Sequence, residues 1–106
     1  MVVCTLNVQW LCEMFVEFDW DEQNGRHLAR HGISRQDAED VLSGNHIFLE
    51  FQIVEDEQRW IALGATRSGR VLEIVFAIRG EAIRPITGWL ADKETANMYF
   101  KEWGRE

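Results

Sequence analysis

The sequence predicts an α+β domain with an N-terminal strand and two short helices, then a four-stranded antiparallel meander, then a C-terminal helix. Three observations carry this prediction. Two segments with helix-capping residues, one opened by Asp21 and one by Ser34, follow each other between residues 21 and 44. Four alternating apolar runs, separated by turn residues, fill residues 46–89. Beyond them Ala96, Tyr99, Phe100 and Trp103 recur at helical spacing. The 106 residues suffice for one domain with a modest core, and not for two.

The first strand is read from the alternation in Phe15-Val16-Glu17-Phe18-Asp19-Trp20. Residues 1–13 lack this pattern and read as a non-core N-terminal extension. The domain is expected to span 14–106, with Met14 as an alternative initiation site. Asp21 caps the first helix and Gly32 stops it; Gly25 inside it costs about 1 kcal/mol relative to Ala, so the helix needs tertiary support. Ser34-Arg35-Gln36-Asp37 is a capping box opening the second helix, whose apolar side is Ala38, Val41 and Leu42, and Ser43-Gly44-Asn45 ends it.

The strand runs are His46 to Val54, Gln58 to Ala65, Arg70 to Arg79 and Ala82 to Trp89. Alternation puts Ile47, Leu49, Phe51 and Ile53 on one face of the first. Ser68-Gly69, read as a two-residue hairpin, sets Leu63 opposite Ile74 and Ile61 opposite Phe76. Gly80-Glu81 likewise pairs Arg79 with Ala82, which sets Arg84 opposite Ala77 and on the same face as Arg79. Pro85 marks an edge or an irregular ladder position. Asp92 caps the last helix, whose stripe suits core packing or a partner interface.

Charge and composition narrow the function. With 11 basic against 18 acidic residues, the net charge of −7 excludes broad electrostatic binding of nucleic acid, so any RNA contact must be local, at clustered arginines. The longest uncharged run, Met1 to Cys12, is too short to span a bilayer and lacks the basic start of a signal peptide. Both cysteines, Cys4 and Cys12, lie in that leader without metal-type spacing, and a reducing cytoplasm is the expected setting.

The residues that stand out are Arg26, His27, Arg30 and His31, which a helix gathers within about a turn and a half. Imidazoles transfer protons near neutral pH, and guanidiniums clamp phosphate oxygens. His27 and His31 lie four apart on one helical face, so one can act as base and the other as acid. Arg79 and Arg84 would stabilise the charge of a phosphorane if the helix packs over their face, and Arg26 and Arg30 would bind phosphate. No Glu lies between the two histidines in the zinc-hydrolase arrangement, so no metal and no cofactor is expected. Structural readings stand beside these: His31 before Gly32 suits a helix end, and Arg79 and Arg84 suit ion pairs with Glu73, Glu81 or a helix carboxylate. Glu55-Asp56-Glu57 reads as a solvated loop.

Phe18-x-Trp20-Asp21, then Leu28-Ala29-Arg30-His31-Gly32-Ile33-Ser34, then Gln36-Asp37-Ala38-Glu39-Asp40 resemble the opening of BrnT-type toxins. Glu57-Gln58-Arg59-Trp60-Ile61-Ala62-Leu63-Gly64, Gly69-Arg70-Val71-Leu72 and Arg79-Gly80-Glu81-Ala82-Ile83-Arg84-Pro85-Ile86-Thr87 continue the likeness in order, over about residues 15–103. The resemblance implies a RelE-like fold and a ribonuclease that inhibits translation by cutting RNA. It also implies a type II toxin–antitoxin pair, in which a ribbon-helix-helix antitoxin neutralises the toxin. The chain departs from the family's pattern at Ala65 and at Gly88-Trp89-Leu90-Ala91, where basic residues are usual. A toxin-like binding module that has lost its cationic site is therefore the alternative expectation.

Overall fold

A computed structural model describes residues 17–104; the expected extension 1–13 and the start at Met14 lie outside these residues. Strand β1 (Glu17–Phe18) leads into helices α1 (Glu22–Ala29) and α2 (Arg35–Ser43). Strands β2 (His46–Val54), β3 (Glu57–Ala65), β4 (Val71–Arg79) and β5 (Ala82–Leu90) follow, then α3 (Lys93–Tyr99), which runs into a π-helical turn, Phe100–Gly104. The strands form one five-stranded sheet in the order β1-β5-β4-β3-β2. The meander is antiparallel throughout, and β1 adds to β5 in parallel. The α+β prediction therefore describes the molecule, with the N-terminal strand placed at the sheet's edge.

Both N-terminal helices are closed by the residues that predicted them. Asp21 accepts from the Asn24 amide at 3.0 Å while the Asn24 side-chain carbonyl accepts from the Asp21 amide at 2.8 Å. Ser34 and Asp37 do the same for α2. Gly32, at φ +75°, turns the chain so that the Ile33 amide reaches back to the Leu28 carbonyl. Leu28, Ala38, Val41 and Leu42 are thereby buried on Ala62, Leu72, Ile74 and Phe76, the even-numbered face of β3 and β4. The odd-numbered face carries Leu63 and Val71 beneath Tyr99 of α3, whose hydroxyl donates to the Asn45 carbonyl at 3.1 Å. Each face of the central strands thus has its own cover, which is why β3 from Trp60 to Ala65 and β4 from Val71 to Ile78 are apolar almost throughout.

Three expectations are corrected. The β3–β4 loop is not a two-residue hairpin. The Gly69 amide bonds to the Thr66 carbonyl, Gly69 takes φ +95°, and Ala65 pairs with Val71. This three-residue loop slips the register by one, so Leu63 faces Glu73 and Ala62 faces Ile74. Leu63 and Ile74 consequently lie on opposite faces. In β2 a bulge between Phe48 and Glu50 ends the alternation. Ile47 and Leu49 pack beneath α3, whereas Phe51 meets Trp60 on the other face, with ring centroids 5.3 Å apart. In α3 the stripe breaks after Tyr99, because the wider π turn rotates the residues beyond it, and Phe100 and Trp103 are exposed. The β4–β5 register is as expected, with Arg79 against Ala82 and Ala77 against Arg84. Pro85 sits at the irregular position there, where the ladder shifts and leaves Ile86 unpaired.

The β2–β3 connection stores strain. Val54 pairs with Glu57, so Glu55 and Asp56 form a two-residue turn with φ of +50° and +69°. Such a turn favours Asn-Gly, and a residue with a Cβ resists this conformation by roughly 1–2 kcal/mol. Replacing Glu55→Asn together with Asp56→Gly is expected to stabilise the fold by about 1 kcal/mol, raising Tm by about 4–8 °C. An unchanged or lower Tm in a thermal scan would contradict the strain.

Candidate active site

The start of α1 is fastened to β5 by buried polar groups. Asn24, 3% exposed, donates from its side-chain amide to the Pro85 carbonyl at 2.8 Å and to the Asp19 carbonyl at 3.0 Å. Arg84 lies beneath the same turn, its Nη2 3.0 Å from the Asp21 carboxylate and its Nη1 3.7 Å from that of Asp19. Trp20 Nε1 donates to Glu39 at 2.8 Å, tying the preceding residue to α2. His27 follows Asn24 by three positions and so shares its side of the helix.

That placement closes a cavity of about 180 Å³. Gln23, Asn24 and His27 line it from α1, Glu57 and Arg59 from β3, Arg79 from β4, and Arg84 and Ile86 from β5. Three guanidiniums, one imidazole and one carboxylate thus converge. Glu57 bridges two of the cations, with Arg59 Nε at 3.0 Å from one oxygen and Arg79 Nη2 at 3.1 Å from the other. The hydrogen bond from Arg79, with that from Arg59, outweighs partial burial and holds the Glu57 carboxyl below the usual glutamate range. Asp21 is likewise lowered, first by the Asn24 amide and then by Arg84. Arg84 is nearly sealed, whereas the Arg79 side chain is 55% exposed and can exchange Glu57 for an incoming anion.

The sequence-predicted residues divide into groups. His27, Arg79 and Arg84 share the cavity. Arg26 and Arg30 line a second, larger and more open hollow of about 550 Å³ along α1, which His27 also lines, and Arg26 pairs there with Glu22 at 2.6 Å. His31 lines neither hollow; its ring stacks beside that of His27, with centroids 6.2 Å apart. Of the anticipated ion-pair partners Glu73, Glu81 or a helix carboxylate, the last is found for Arg84, which takes the helix-capping Asp21, while Arg79 takes Glu57 in place of Glu73 or Glu81. The sequence does not single out Glu57 and Arg59, because 55–57 reads as a solvated acidic loop. Their two-residue spacing on a strand is the available signal. Among the described residues no three His, Cys, Asp or Glu side chains converge as a metal site.

A family model described as the ribonuclease toxin BrnT of type II toxin–antitoxin systems matches residues 20–94. The chain belongs to this family. Its fold is also similar to the 1.1 Å crystal structure of the Brucella abortus ribonuclease toxin BrnT, with a TM-score of 0.52 at 18% identity. The likeness covers 74% of this chain and 96% of the Brucella protein. No curated protein matches the sequence. As a BrnT-family member the chain has an antitoxin as its partner class, and no helix among the described residues is long and apolar enough to cross a membrane.

Glu57 gives the site a pH signature. Its folded pKa lies below its unfolded value, so its stabilisation is complete above the unfolded value of about 4.3 and lost as pH falls through the folded one. Because the ion pairs are partly exposed, the effect is about 0.2–1 kcal/mol. Glu57→Gln is therefore expected to lower Tm slightly at pH 7, with the two Tm curves converging as the pH falls through the lowered Glu57 value. A difference that persists undiminished in acid would contradict it.

Proposed function

We propose that the chain is a metal-independent ribonuclease toxin, acting in the cytoplasm to block translation and neutralised by a ribbon-helix-helix antitoxin. The observation that carries the proposal is the single cavity shared by His27, Arg79 and Arg84. In this reading the 2′-hydroxyl of RNA attacks the adjacent phosphorus and the bond to the 5′-oxygen breaks. The products are a 2′,3′-cyclic phosphate and a 5′-hydroxyl. His27 takes the 2′-hydroxyl proton, and a proton returned to the departing 5′-oxygen completes the balance, with His31 as the nearest second imidazole. Arg79 leaves Glu57 to meet the phosphate, while Arg84 and Arg59 supply fixed positive charge to the phosphorane. Arg26 and Arg30 extend the contact to flanking phosphates along the second hollow.

One observation favours the alternative, a toxin-like binding module without activity: all three guanidiniums of the cavity already have carboxylate partners. Catalysis separates the two readings. Induced expression in a bacterial host is expected to arrest growth, and the purified chain should cut RNA in the presence of a chelator. His27→Ala and Arg79→Ala alter exposed side chains and should leave the fold intact while slowing cleavage by about 100-fold or more, with His31→Ala less severe. No arrest and no cleavage would favour the binding module.

A further inference from the structure

The two edges of the sheet differ. On one side the edge is β1, which among the described residues comprises Glu17 and Phe18. On the other it is β2, nine residues from His46 to Val54, whose outer side has no partner strand among the described residues. Folded proteins guard such an edge with Lys, Pro or shortness, because a row of unpaired amides and carbonyls recruits another chain. β2 has neither Lys nor Pro; its only guards are Glu50 and the bulge beside it. Six of its nine residues are large and apolar. Phe48, Phe51 and Ile53 are 57%, 50% and 64% exposed, and the apolar surface continues through half-buried Trp60 to Ile78. Backbone groups and apolar side chains are thus offered along one line, the requirement for adding a strand.

We infer that β2 is the docking edge for an extended segment of the antitoxin, which adds a sixth strand with apolar residues at alternate positions and a basic residue facing Glu50. Charge decides the occupant. A second copy of this chain, paired antiparallel over the strand's full length, would set Glu50 against Glu50, and like charges opposite each other destabilise a strand pair. The rim is acidic as well, with Glu55 and Asp56 exposed beyond Val54. A basic, apolar strand meets both conditions. The end of β2 is one tight turn from Glu57, which lines the cavity of His27, Arg79 and Arg84. Of the other exposed apolar residues, Met98, Phe100 and Trp103 lie on the C-terminal helical segment, which offers no open strand edge.

The inference rests on membership of a toxin–antitoxin family and not on catalysis by the chain. Its test uses the full chain and the antitoxin encoded in the same transcription unit. Hydrogen exchange of the complex is expected to show slowed amides across residues 46–54. Phe51→Lys and Ile53→Lys, which change exposed side chains, should each weaken antitoxin binding by about tenfold or more while leaving Tm and RNA cleavage as in the parent chain. Unslowed β2 amides, protection confined to α3, or undiminished binding by both variants would overturn it. So would self-association of the chain alone that Phe51→Lys abolishes, since the occupant would then be a second copy. Binding is read without activity, so β2 protection with an inert chain would refute only the ribonuclease reading, and cleavage without β2 protection would refute only this one.

Discussion

The side-chain amide of Asn24 is the contact on which the arrangement depends. Its two donated hydrogen bonds span 61 residues of sequence to Pro85 and hold the chain at Asp19, and its carbonyl completes the α1 cap. A buried amide that loses such partners leaves carbonyls unsatisfied, at about 1–3 kcal/mol each. The geometry of α1 relative to β5 is therefore strongly fixed at one end. His27 overlooks Arg84 because Asn24, one turn earlier, is pinned. Arg84 reinforces the same joint from below through Asp21 and Asp19. A helix containing Gly25, and only eight residues long, would otherwise be marginal.

The second constraint is parity along the strands. Sheet faces alternate, so which residues meet in the cavity depends on whether their positions share a register. Continuing the observed β3–β4 pairing past Trp60 and Phe76 brings Glu57 across from Arg79 and Arg59 across from Ala77. That is the geometry in which one carboxylate can bridge both guanidiniums. The three-residue loop at Arg67-Ser68-Gly69 thus has an effect at the far end of the sheet, where it decides which charges share a face. Glu57 in turn keeps Arg59 and Arg79 ordered and close together without a ligand, charge preorganisation that a phosphate can use.

Local signals are legible in the sequence. Asp21, Gly32, Ser34 and Asp92 mark the helix ends through interactions within a few residues, and the Arg79–Arg84 relation comes from a two-residue turn. The features that escape are set by single-residue events with distant consequences. A hairpin one residue longer than the turn residues suggest puts Leu63 and Ile74 on opposite faces and hides the Glu57–Arg79 pair from a reading of the sequence. The bulge after Phe48 moves Phe51 and Ile53 away from the core beneath α3. The π turn takes Trp103 off its stripe. Asn24 has no local signature either, because the partners of a buried amide are chosen by tertiary contact. Of the candidate site, His27, Arg79 and Arg84 are legible in the sequence, and the bridging carboxylate of Glu57 is not.

Asn24, on this account, acts on the chemistry through His27. The most direct measurement is a double-mutant cycle on RNA cleavage, comparing Asn24→Ala, His27→Ala and the double variant at a temperature where all remain folded. If Asn24 only places the imidazole, the double variant cleaves no more slowly than His27→Ala alone. Losses that multiply, or an Asn24→Ala variant that cleaves as fast as the parent chain, would contradict the account.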